Sequence, residues 1–108
     1  MADVAIKSLA DGQLAATKGT IYTTPAATQT IVDNIVLVNS DSSARAVNLY
    51  FKASGGTSRR LTPKDYSLGI GASLEYDKKI MMEAADILEG DAAAATVVDY
   101  CINGVENS

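Results

Sequence analysis

Histidine and tryptophan are both missing from this chain of 108 residues, and cysteine occurs once. Without histidine, the commonest general base and metal ligand near neutral pH is gone. Ser–His and Cys–His nucleophilic pairs are therefore impossible within the chain. The lone cysteine, Cys101, excludes an intrachain disulfide and the small secreted scaffolds that depend on one. No basic residue adjoins it in sequence to favour the thiolate, so it reads as an inert thiol in a strand. The missing tryptophan removes the best ring for stacking on a sugar, although tyrosine can substitute. Positive charge is also short: 9 Lys and Arg against 13 Asp and Glu leave a net charge of −4. That balance is the opposite of a nucleic-acid surface, and no nucleic-acid partner is expected. The N-terminal MADVAIKSLADGQ carries Asp3 and Asp11 and no long apolar run. It reads as neither secretory signal nor membrane anchor, so synthesis in a cytoplasm without a membrane partner is the expectation.

What the chain does contain is a stretch around which the rest must be organised, Thr30 to Lys52. Its second half alternates: Val47, Leu49 and Phe51 point one way, and Asn48, Tyr50 and Lys52 the other. Its first half is apolar on both faces, with Ile31, Ile35 and Leu37 opposite Val32, Val36 and Val38. Such a strand lies centrally in its sheet or has its second face covered. Asn39-Ser40-Asp41-Ser42-Ser43 between the halves has turn chemistry, and the whole reads as a β-hairpin.

Around it, Val4 to Ala10 reads as a short edge strand or an arm, with Leu9 out of step with the alternation of Val4 and Ile6. Gln13 to Thr17 reads as a weak strand and Thr20 to Thr24 as a better one, stopped by Pro25. Arg59 to Thr62 is a brief strand closed by the turn Pro63-Lys64-Asp65. Tyr66 to Gly71 is irregular, with Gly69-Ile70-Gly71 a turn and not a phosphate loop. Ser73 to Asp77 alternates with Leu74 and Tyr76 inward. Asp77 to Gly90 reads two ways: a helix capped by Asp77 and ended by Gly90, or strands Lys79–Met82 and Asp86–Glu89 bent at Ala84-Ala85. Thr96 to Ile102 is a strand with Val98, Tyr100 and Ile102 on one face, broken by Asn103-Gly104. Short strands between turn signals predict an all-β fold, a β-sandwich of jelly-roll type with about eight short antiparallel strands. Residues 1–19 form an N-terminal arm or edge strands, and 20–108 a single sandwich domain.

The carboxylates Glu83, Asp86, Glu89 and Asp91 lack the calcium-loop spacing and read as solvated turns and strand ends. No catalytic, cofactor or metal site is expected. Arg59-Arg60 is the one local concentration of basic charge and suits a carboxylate-bearing partner. Candidate interface residues are therefore Val4, Ile6, Leu9, Arg59 and Arg60.

Three stretches carry a family resemblance: IYTTPAATQTIVDNIVLVNSDSSARAVNLYFK (Ile21 to Lys52), GTSRRLTPKDYSLGIGASLEYD (Gly56 to Asp77) and ILEGDAAAATVVDYCINGVE (Ile87 to Glu106). Their order resembles small structural proteins of tailed-bacteriophage virions, which are β-sandwich or jelly-roll proteins of heads, necks and tails. The family tends to have a glycine near Ala85, where this chain has alanine. The resemblance implies a non-enzymatic building block of the virion, a capsid decoration protein docking in many copies. A neck or tail accessory, or a carbohydrate-binding or adhesin module, are the alternatives. The implied partners are the major capsid protein or neck and tail proteins, together with further copies of the chain in a homo-oligomer.

Overall fold

The computed structural model describes residues 4–108, so the first three residues of the expected arm lie outside the described residues. Every regular element among the described residues is a strand: β1 (Val4–Gln13), β2 (Gly19–Thr23), β3 (Gln29–Asn39), β4 (Arg45–Lys52), β5 (Arg59–Arg60), β6 (Tyr66–Leu68), β7 (Ser73–Tyr76), β8 (Ile80–Met82), β9 (Ile87–Ala92) and β10 (Val98–Asn107). They form two antiparallel sheets. Sheet A runs β1-β10-β3, with β7 and β8 end to end along the far edge of β3. Sheet B runs β2-β9-β4, with β5 and β6 along the far edge of β4. If each end-to-end pair is taken as one interrupted strand, both sheets have four strand positions, the arrangement of a jelly roll.

The core lies between the sheets. Val32, Ile35, Leu37, Val98 and Ile102 from sheet A meet Val47, Leu49 and Leu88 from sheet B, and all are at most 1% exposed. The alternation expected for β4 is present, but the expected hairpin is not. β3 pairs with β10, β7 and β8, while β4 pairs with β9, β5 and β6. The two strands therefore lie in opposite sheets with the core between them. Ser40–Ala44 carries the chain from one sheet to the other. Asn39, fully buried, holds this crossing: its amide donates to the carbonyls of Ser43 and Leu68 at 2.9 and 3.0 Å and accepts from the Asp41 N–H at 2.9 Å.

The two faces of β3 also differ from the simple alternation. Thr30 and Val32 point inward, and so do Ile35, Leu37 and Asn39, while Ile31 and Val38 point out. The parity changes at a bulge, where Asn103 and Gly104 of β10 oppose Asn34 and Val32 of β3 and Asp33 is the extra residue. β1 has a second bulge in the same region, at Leu9, between Ser8 and Ala10. This explains why Leu9 broke the alternation. β10 does not end at Asn103-Gly104 as expected but runs through it to Asn107. Gly104 serves close approach there: an added Cβ would lie 2.2 Å from the Ile31 carbonyl oxygen.

Between Asp77 and Gly90 the chain forms the two-strand alternative, β8 and β9, and not a helix. The Asp86 N–H donates to the Glu83 carbonyl at 3.0 Å, and Ala85 sits at φ 69°. That is the third position of a turn where glycine relieves the clash of an L side chain. Gln13 to Thr17 is strand only at Gln13 and otherwise loop, whereas Tyr66–Leu68, expected to be irregular, is a strand paired with Arg45–Val47.

Two glycine exchanges should act in opposite directions. Ala85→Gly removes about 1–2 kcal/mol of left-handed strain against an entropy cost of about 0.5–1 kcal/mol, for a net gain of up to about 1.5 kcal/mol. Gly104→Ala should cost about 3 kcal/mol or more, because a backbone carbonyl has to move. Urea unfolding of both variants measures the pair; a neutral Gly104→Ala would contradict the close approach of β3 and β10.

Candidate functional site

The outer face of a sheet that meets water is ordinarily polar, with the apolar residues turned to the core. At one end of sheet A the outer face is apolar as well. On β1, Val4 and Ile6 are 66% and 87% exposed. The neighbouring Lys7 forms an ion pair with Glu106 at 3.0 Å. On β10 the pattern repeats, with Val105 turned outward and Glu106 inward. On β3, Ile31 is 41% exposed while Thr30 is buried, and on β8 Met81 is 67% exposed while Met82 is buried.

The strand registers bring the outward residues into one line. Ile6 is opposite Val105, Val105 opposite Ile31, and Ile31 opposite Met81. This apolar row crosses four strands, a length of about 14 Å at the usual strand spacing of about 4.8 Å. A hollow of about 250 Å³ lies along one side of the row, between it and Gln29, Glu83 and Asn107. A second hollow of about 400 Å³ lies along the other side, bounded by Asp33, Lys79 and Asn103. Asp33 and Lys79 pair with each other at 2.5 Å. Further along the same face the rows become polar: Asn103 donates to Asn34 at 2.9 Å and Gln13 to Asp99 at 3.0 Å. Val38, 36% exposed, is the exposed large apolar residue at that other end of β3.

Behind the row, the inner side carries polar groups that join the two sheets. The Tyr22 hydroxyl of β2 donates to Glu106 Oε2 at 2.6 Å and lies 2.9 Å from Thr30 Oγ1. Burial, the Glu106 bond and the negative charge of that carboxylate push the Tyr22 pKa from 10.0 to about 12. The hydrogen bond from Tyr22 and then that from Lys7 hold the Glu106 carboxyl below its ordinary value.

The structure does not gather the expected interface residues into one surface. Val4 and Ile6 lie on the outer face just described. Leu9, at the β1 bulge, packs against the core. Arg59 and Arg60 form β5 on the other sheet, and Arg60 is engaged within the chain: it donates to Asn48 Oδ1 at 2.7 Å and lies 5.1 Å from the Tyr50 ring centre. Ile31, Val105 and Met81, which share the outer face with Ile6, were not among the expected residues. The in-register row that unites them depends on strand pairing, which the alternation of one segment does not specify.

The carboxylates expected to be solvated include structural groups. Asp86 is buried and accepts the N–H groups of Glu83 and Ser54, each at 2.9 Å. Asp91 accepts Asn48 Nδ2 at 2.8 Å and the Tyr50 hydroxyl at 2.9 Å. Asn48 also accepts the Asp65 N–H at 2.8 Å, so this cluster fastens the 53–65 excursion over the outer face of sheet B. The Tyr50 ring, 7% exposed, has Lys18 Nζ 4.7 Å from its centre. Among the described residues, no group of three or more His, Cys, Asp or Glu could hold a metal ion.

No protein-family model matches the chain, and no curated protein matches it. Its fold is shared with solved structures. A chain of the acid-stable capsid of Helicobacter pylori bacteriophage KHP30 aligns over 100% of this chain and 94% of its own length, with TM-score 0.54 and 12% identity. A chain of Bacillus endospore appendages, a family of disulfide-linked pili, aligns over 98% and 85%, with TM-score 0.52 and 19% identity. A chain of infectious bursal disease virus, Gx strain, aligns over 99% of this chain, with TM-score 0.52 and 13% identity; this chain spans 32% of its length.

The Tyr22 arrangement predicts a pH response. The folded state retains the Tyr22 proton to about pH 12, whereas the unfolded state loses it near 10. Its contribution is therefore complete below pH 10 and is lost as pH rises towards 12. The Glu106 contribution has the opposite sense: it is present above the unfolded carboxyl value and lost as acid titrates the folded group. In an alkaline titration followed by phenolate absorbance, one tyrosine should ionise only with unfolding, and Tyr22→Phe should remove that step. An unchanged titration in Tyr22→Phe would contradict the assignment.

Proposed function

We propose that this protein is a non-enzymatic structural component of a virus particle, a capsid decoration protein that docks in many copies on the shell of a bacteriophage. The observation that carries this reading is the match to the phage capsid chain. It extends over the whole of this chain and 94% of the other, so two single jelly rolls correspond from end to end. A domain of this size adds to a shell through its surfaces. The side-chain chemistry supports a contact role, because Asp86, Asp91, Glu106 and Arg60 are all engaged in bonds that hold the fold. The apolar row on sheet A supplies a surface suited to burial against protein.

The pilus likeness fits less well on one point. Each subunit of a polymer linked only by disulfides must bond two neighbours, and this chain has a single cysteine. That cysteine, Cys101, is half-buried on β10.

Mass spectrometry of gradient-purified particles should find the chain in stoichiometric amount, and cryo-electron microscopy should place it on the outer surface of the head. Density at the neck or tail would replace decoration by an accessory role there. Absence of the chain from purified particles would overturn the virion reading.

A further inference from the structure

We propose that the row Ile6–Val105–Ile31–Met81 is a self-association surface, on which a second copy of this chain packs face to face about a two-fold axis. The proposal concerns the free protein and does not depend on the virion reading.

The inverted alternation shows that this end of sheet A is built to be covered. Val4, Ile6, Ile31 and Met81 are 66, 87, 41 and 67% exposed, while Thr30 of β3 and Glu106 of β10 bond to Tyr22 on the inner side. On those two strands an end meeting only water would gain by the opposite assignment at these positions.

Shape points to a second copy. The row is a ridge with a hollow along each side, of about 250 and 400 Å³. A ridge beside a groove on one face is self-complementary: a two-fold axis between them sets each copy's ridge into the other's groove. Isologous interfaces require this property, since the same patch must serve both sides. Opposed sheet faces pack in this way about 10 Å apart, with their side chains interdigitating.

Charge and area agree with this arrangement. The chain carries −4 overall, so copies repel at long range, but Asp33 and Lys79 at the groove neutralise each other at 2.5 Å. The exposed parts of the apolar side chains amount to on the order of 400 Å², within the range where such patches mark contacts. Two copies together bury roughly twice that, and the surrounding polar rim brings the total near the 1,000 Å² needed for a specific interface.

Analytical ultracentrifugation of the full chain should show a dimer forming at about 10–100 µM, as expected for an interface near that lower bound. The double variant Ile6→Lys/Met81→Lys should weaken dimerisation by about tenfold or more while leaving the circular dichroism spectrum unchanged, because both side chains are exposed. The melting temperature of the unmodified chain should rise with concentration, and that of the double variant should not. Ile70→Lys serves as the control: Ile70 is 67% exposed at the Gly69–Ala72 turn, away from the row, and its replacement should leave the dimer intact. A chain that stays monomeric throughout this range would overturn the proposal, as would a double variant that dimerises normally. If the chain is monomeric and the double variant nevertheless loses attachment to particles, the face belongs to a foreign partner and self-association is equally overturned.

Discussion

The missing side chain at Gly104 is the constraint on which the rest of sheet A depends. Only glycine lets β10 lie so near β3 that the place of a Cβ is 2.2 Å from the Ile31 carbonyl oxygen. At that point β3 takes its extra residue, and the parity of its side chains is reset. Ile35 and Leu37 can then enter the core on the same side as Val32, while Ile31 is turned outward. The Leu9 bulge of β1 abuts the other side of β10, and Leu9 Cδ1 lies 3.0 Å from the same absent Cβ. One close approach thus accounts for both the closed core and the exposed row. Core packing and the exposed apolar row are not separable features in this protein.

The strands themselves were largely legible, because the alternation of buried and exposed residues is local. Val47 to Lys52 and Val98 to Ile102 show it plainly, and both lie in strands. Pairing was not legible, because the same apolar face can meet a neighbour in its own sheet or a partner across the core. The stretch from Asn39 to Ser43 has turn chemistry in either case, and only the buried bonds of Asn39 commit it to crossing between sheets. Ala85 hid a turn because alanine is a helix former, and its positive φ is imposed by tertiary contacts: its N–H donates to the Thr24 carbonyl at 3.0 Å. The exposed row was legible only at Val4 and Ile6. Met81 lay in a segment that read equally as helix, Val105 followed an apparent strand break, and Ile31 was placed on the wrong face by the unseen bulge.

Polar side chains do much of the work of joining segments that the core leaves loose. Asn48, Asp91, Tyr50 and Arg60 fasten the long excursion after β4, and Asp86 links the β8–β9 turn to Ser54. Tyr22, Glu106 and Lys7 tie sheet B to the edge of sheet A. Each of these groups has the chemistry of a reactive site but is saturated by partners within the fold. In these clusters the donors and acceptors hold the shape of the fold.

The position of β10 between β1 and β3 also has a consequence in time. Sheet A is a four-position sheet whose second strand is the last in the sequence. As the chain leaves the ribosome, β1 has no lateral neighbour in that sheet until the final strand has followed it. In sheet B, β2 likewise waits for β9, which precedes β10 by a short loop. Closure of sheet A therefore awaits the pairing of β1 with β10, a contact of high sequence separation, and such contacts slow folding. Until then the β1 backbone is an open template, and the order of synthesis makes it the segment most exposed to pairing with another chain.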